Sequence, residues 1–305
     1  MSFDNLRAAW GSVTHVRSAY AHLAWPRACK QWLRWPVLAA VHSRNALSWF
    51  ERCQKPDWRE LVRRQPVLPL KPLRPYMSLR WNCQQRMRVI EHTYALLLDG
   101  SPVLRNAMAQ HDGQTLARSQ LHSDEWIEVH LGADLRFRKE GEVVLSLRNT
   151  AQGSAMVALA MSFELNAREG WRAYVGCLQG MASRAQIQRM TKALHGLRPS
   201  ALLIFVAQVV ARALGMQSLR VVGNLIQVHR SKHVIYLPRW HALRFDYDRL
   251  LQELGGQLQD DGWFKMDMIQ QRRTHDEQPA NKRALYARRY RLMDDIARQL
   301  ATGLS

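Results

Sequence analysis

Between residues 126 and 178 apolar and polar positions alternate in short runs: WIEVHL (126–131), DLRFRK (134–139), EVVLSLR (142–148), MVALAMSFEL (156–165) and WRAYVGCL (171–178). A period of two predicts strands. Turn-rich breaks at 132–133, 140–141, 149–153 and 166–170 separate them, and connections this short predict an antiparallel meander. On either side the spacing is helical. Residues 83–99 (CQQRMRVIEHTYALLLD) predict a helix that stops before Gly100 and Pro102. Two more helices are predicted over 184–195 and 200–214, the second with Pro199 before it, Ser200 as N-cap and Gly215 after it. Its ALLIFVAQVVARAL is apolar on nearly every side, which predicts burial against a sheet. LRVVGN (219–224), HVIYL (233–237) and WFKMDM (263–268) predict further strands, and RFDYDRLLQEL (244–254) a helix closed by Gly255-Gly256. The tail NKRALYARRYRLMDDIARQL (281–300) predicts an amphipathic helix with Leu285, Leu292 and Ile296 on one stripe.

The first hundred residues differ in character. They hold seven of the eleven tryptophans and sixteen Lys or Arg against six Asp or Glu, at roughly helical spacing. Pro69, Pro72 and Pro75 interrupt this pattern and read as an extended connector, placing a boundary near 65–77. Two domains are expected: a basic, Trp-rich helical region over 1–76 and an α+β domain over 77–305.

Composition narrows the classes. The net charge of +19 favours anionic partners such as nucleic acid, acidic lipid or phosphorylated cofactors, and equally suits a basic protein that uses Arg where others use Lys. Cys29, Cys53, Cys83 and Cys177 form no C-x-x-C pair, so neither a zinc site nor a disulfide framework is expected, and a reducing cytoplasm fits. The N-terminus lacks the pattern of a secretory signal. The longest apolar run, 201–211, is broken by Gln208 and is far short of the roughly 18–20 residues that span a bilayer. The expected location is cytoplasmic or peripheral on the inner membrane.

An antiparallel meander, a glycine-ended strand, a helix and a further strand form the order expected of a GNAT-type acyltransferase: an α+β fold, mainly antiparallel, with flanking helices. Amides at the helix start would face a phosphate there, making Gln179, Gly180 and Arg184 candidate acyl-donor or phosphate ligands. The usual loop of that fold is Gln or Arg, two residues, Gly, one residue, Gly or Ala. Here Gln179-Gly180-Met181-Ala182-Ser183 departs from it, and a plain strand-to-helix turn accounts for the same residues.

His195-Gly196-Leu197-Arg198-Pro199 supplies an imidazole able to move a proton and a guanidinium able to grip phosphate. His195 is the candidate catalytic residue, and Arg198 a further donor ligand. Asn224, His229 and Tyr236, following the strand LRVVGN, are candidate substrate-binding groups, since open sheets place ligands beyond strand ends; a solvated loop is the competing reading. Cys177 reads as a packing residue, and Glu164 as an exposed strand residue unless burial makes it a base. No metal site is expected.

WRAYVGCLQG, ALHGLRPSALL, LRVVGN, ELGG at 253–256 and the tail KRALYARRYRLMDDI resemble the VirK/YbjX-like family of bacterial proteins over roughly 85–300. The resemblance implies a Gram-negative source and a link to virulence, the cell envelope and resistance to antimicrobial peptides, without an established reaction. The leading expectation is therefore an acyltransferase-like protein acting on an envelope component, with acyl-coenzyme A or an acyl-carrier protein as donor. The alternative is a non-enzymatic basic protein that binds an anionic membrane surface through its Trp-rich start, or else nucleic acid.

Overall fold

In the computed structural model, which describes residues 2–304 apart from 111, 122–124, 152, 233–238 and 241–245, contacts divide the chain into two units. The first comprises residues up to 90 with 228–242, and the second 91–227 with 243–305.

The first unit is helical, as the spacing predicts: α1 (Phe3–Tyr20), α2 (Trp25–Val41), α3 (Ser43–Cys53), α4 (Pro56–Arg64) and the opening half of α5 (Cys83–Asp99), inside which the division falls. Ala8, Ser12, Val16 and Ala19 on α1 are small and buried, which lets neighbouring helices approach. Trp35, Trp49 and Trp58 fill the core, the last two edge to face at 5.2 Å between centroids. The proline segment is not an extended connector. Leu68–Leu73 is a buried 3₁₀ helix, whose dihedrals suit proline, and the Leu68 carbonyl accepts from Trp49 Nε1 at 3.3 Å. Two short strands, Ser231–Lys232 and Arg239–Trp240, pair within this unit. The predicted strand 233–237 lies outside the described residues.

The second unit is the α+β domain. Its strands β1 (Gln114–Gln120), β2 (Trp126–Gly132), β3 (Val143–Asn149), β4 (Ala155–Asn166) and β5 (Gly170–Gly180) form the antiparallel meander. The chain then crosses over through α7 (Arg184–Ala193) and α8 (Pro199–Ala213), so that β6 (Ser218–Val222) returns parallel to β5. α9 (Tyr247–Glu253) follows, then Gln257–Leu258 and Trp263–Met266, and the sheet runs β1-β2-β3-β4-β5-β6 with Trp263–Met266 next and Gln257–Leu258 at the edge. α8 is buried on all sides against β3 to β6 and α10 (Arg283–Leu304).

Some elements depart from expectation. Residues 134–139 are not a strand: Asp134 Oδ1 accepts from the Arg136 amide at 2.9 Å, and this local bond turns 135–137 into a 3₁₀ helix. α8 is capped by Arg198, not Ser200, because Pro199 takes the first helical position, where its missing N–H costs nothing. α6 (Pro102–Ala109) and β1 go beyond the predicted elements.

Two devices finish the sheet. β4 outruns β3, so backbone groups beyond Met161 lose their strand partner on that side. Thr93 Oγ1 accepts from Phe163 N–H at 2.8 Å and donates to the Phe163 carbonyl at 3.1 Å, while His92 Nδ1 accepts from Leu165 N–H at 3.0 Å. At the β1 edge of the sheet, the Gln299 amide of α10 accepts from Arg118 N–H at 3.0 Å and donates to its carbonyl at 2.9 Å.

Candidate functional site

Cross-strand pairing sets which side chains share a face. In register, His130 pairs with Ser146, Ser146 with Ala158, and Ala158 with Gln179. A second row holds Gly132, Val144, Ala160 and Cys177. Small residues in both rows leave space above the sheet, and a cavity of about 480 Å³ opens there. Val144, Ala158 and Met181 form its apolar floor, continuous with the buried Phe137, Ala160 and Cys177. Its polar wall is His130, Ser146, Arg148, Arg136, Asp134 and Asp112.

The electrostatics of that wall are uneven. Arg136 grips Asp134 through Nη2 at 2.6 Å, and these hydrogen bonds hold the Asp134 carboxyl below its usual value. Arg148 is different: its Nε is buried with no hydrogen-bond partner among the described residues. Burial, reinforced by the Arg148 cation, drops the His130 imidazole to about 4, so His130 is neutral at pH 7. The wall thus presents an Arg148 with donor capacity in hand beside an uncharged imidazole and a hydroxyl.

Met181 connects the cavity to the end of β5. The amides of Met181 and Ala182 donate to the Met156 carbonyl at 2.8 and 3.2 Å, which turns the chain. Ser183 then caps α7 in a reciprocal box: its Oγ accepts from Gln186 N–H at 3.3 Å, and Gln186 Oε1 accepts from Ser183 N–H at 2.7 Å.

Several residues before this turn β5 and β6 part. Their last pair is Val175 with Val221, after which β5 continues to Gly180 while β6 stops at Val222. Gly176 is skipped in the β4–β5 register, a bulge, and a Cβ there would collide with the Glu140 carbonyl. Tyr247, at the start of α9, reaches the bulged strand: its hydroxyl accepts from Leu178 N–H at 3.4 Å. Burial raises the Cys177 thiol and the Tyr247 hydroxyl well above their ordinary values, leaving both protonated.

The sequence-predicted residues fall in several places. Gln179 and Gly180, both exposed, end β5, and the exposed Arg184 opens α7, so these three lie together. His195 lies past the other end of α7, about 15 Å of helix away. It has φ 54°, and its carbonyl accepts from Arg289 Nη2 at 2.9 Å and Nε at 3.1 Å. Arg198 Nη1 pairs with Glu253 at 2.8 Å. Asn224 holds α9: its Nδ2 donates to Asp246 at 2.8 Å, and its Oδ1 accepts from Tyr247 N–H at 3.1 Å. His229 belongs to the first unit, and Tyr236 lies outside the described residues. Glu164 is buried, not exposed, and accepts from the Tyr174 hydroxyl at 2.9 Å; burial and this carboxylate push that phenol up to about 12. Sequence reasoning passed over His130, Ser146 and Arg148. Their signal was present as the polar positions of WIEVHL and EVVLSLR, but alternation reads the same for a solvated face and for one roofed by a loop.

The family described as "Protein of unknown function (DUF535)" matches residues 25–302. The chain belongs to this family. Similar family proteins include the uncharacterized protein YbjX of Escherichia coli (strain K12), 28% identical over 86% of this chain and 80% of that protein. An uncharacterized protein of Haemophilus influenzae is 24% identical over 75% and 73%. The VirK/YbjX-like resemblance is borne out by these matches. Among solved structures, a cAMP-binding acyltransferase from Mycobacterium smegmatis is a distant neighbour, with 10% identity, a TM-score of 0.30, and coverage of 73% of this chain and 66% of that one.

Proposed function

We propose that this DUF535 protein is an acyltransferase, with an acyl donor at the end of β5 and an acceptor in the adjoining cavity. One observation carries the reading. Two parallel strands joined by a helical crossover part at Val175 and Val221, β5 runs on to a turn and a capped helix start, and the open face carries a cavity in the register row of Gln179. Ligands of open sheets sit beyond the carboxyl ends of such strands, and phosphates at helix starts. Gln179, Gly180 and Arg184 would meet the phosphates of acyl-coenzyme A or of an acyl-carrier protein. Arg148 would orient the acceptor, an envelope component on the implication of the family. His195 and Arg198 act in this reading by holding α10 and α9 in place, through the contacts to Arg289 and Glu253.

A thermal-shift screen of the full chain against acyl-coenzyme A of several chain lengths and acylated carrier protein tests it. A donor-dependent rise in melting temperature, reduced by Arg184→Ala and kept by Arg148→Gln, is the expected result. No rise with any donor would sink the proposal.

A further inference from the structure

Among the described residues thirteen large apolar side chains are exposed, and eight of them lie between Phe3 and Val41. That concentration belongs to two helices. α1 turns Phe3, Leu6 and Trp10 outward, with Phe3 and Trp10 each 79% exposed, while the side chains it buries are the small Ala8, Ser12, Val16 and Ala19. α2 turns out Leu33, Val37 and Val41, one residue every four, with Leu33 at 75% exposure. α1 thus buries its small residues and shows its large ones to water, while α2 buries Trp35 and Leu38 on one side and leaves a second apolar stripe outside. Such faces suit a partner, because each exposed side chain forfeits its transfer free energy.

Charge selects the partner. Arg7, Arg17, Arg27 and Lys30 are exposed on the same two helices, and Asp4 is the one acidic residue among the first fifty, against six Lys or Arg. The partner must therefore be apolar and anionic together. A second copy would bring like charges into contact, and nucleic acid would leave the apolar stripes in water. A bilayer surface containing anionic lipid satisfies both, with aromatic and aliphatic side chains at the acyl boundary and cations among the head groups. No described helix is long and apolar enough to cross a membrane, so docking would be in the plane of the surface.

We propose that the outward faces of α1 and α2 dock this protein on the surface of bilayers that contain anionic lipid. The chain is tested by co-sedimentation with vesicles of phosphatidylethanolamine and phosphatidylglycerol, and with vesicles of phosphatidylcholine alone. Binding is expected to the anionic vesicles, weakened by salt, and lowered at least about tenfold in the pair Trp10→Ser and Leu33→Ser. Arg27→Glu with Lys30→Glu is expected to weaken it comparably. All four side chains are exposed, so an unchanged melting temperature certifies the fold. Equal binding by the wild type and the apolar pair overturns the proposal. So does a vesicle-free dimer that the apolar pair dissociates in sedimentation equilibrium, which would make this face a self-association surface.

Discussion

Gly176 shows how one residue shapes the site. Its missing side chain lets the Glu140 carbonyl lie against the bulged strand, so Gly176→Ala must push the backbone apart. A loss of about 1–3 kcal/mol in urea unfolding is expected, the range for overpacked cores. His130 yields a pH prediction. Its folded value of about 4 lies below the ordinary 6.5, so between those values the unfolded chain binds the extra proton. The stability it contributes is therefore full above about pH 6.5 and is lost as the pH falls towards 4, by about 2–3 kcal/mol. His15 and His42, also lowered by burial, add to the same window. The check is the difference between wild type and His130→Asn in urea unfolding at pH 7 and pH 5, with the shallower pH dependence in the variant. At this scale the sequence told that Cys177 is buried, since it sits in an apolar run. It did not tell that Glu164 is, because its partner Tyr174 comes from the next strand.

At the scale of elements, α7 depends on its first turn. Ser183→Ala removes one side of the reciprocal cap and is expected to cost about 1 kcal/mol, read from thermal or urea unfolding. Gln299→Ala opens the backbone of Arg118 on the edge strand. A similar cost is expected, with faster amide exchange at Arg118 as the specific sign. The long apolar strands β4 and β5 and the helices α5, α8 and α10 were legible because their periodicity spans many residues. β1, QTLARSQ, has a weak pattern of its own and is defined by pairing with β2 and by the Gln299 contact. The 3₁₀ turns at 68–73 and 135–137 were misread because proline and a charged alternation look alike in extended and tightly wound backbone.

For the whole molecule, the distribution of tryptophan offers a direct readout of the two units. Eight of the eleven tryptophans fall in the first unit, whereas β1 to β6 all belong to the second. If each unit unfolds cooperatively, denaturant midpoints followed by tryptophan fluorescence and by the β-sheet circular dichroism signal will differ. Coincident midpoints would mean that the units unfold together. By itself the sequence determined the helical character of the start, the antiparallel meander, the two helices and further strand that follow it, and the family, because these rest on local periodicity and on motifs that are contiguous in the chain. Tertiary structure decided the cavity. His130, Ser146, Ala158 and Gln179 come from four strands, and only the hydrogen-bond register places them in one row. It likewise decided that Trp10 and Leu33 face outward while Trp35 and Trp49 are buried, since what a side chain packs against depends on the neighbouring helices and not on the residue alone.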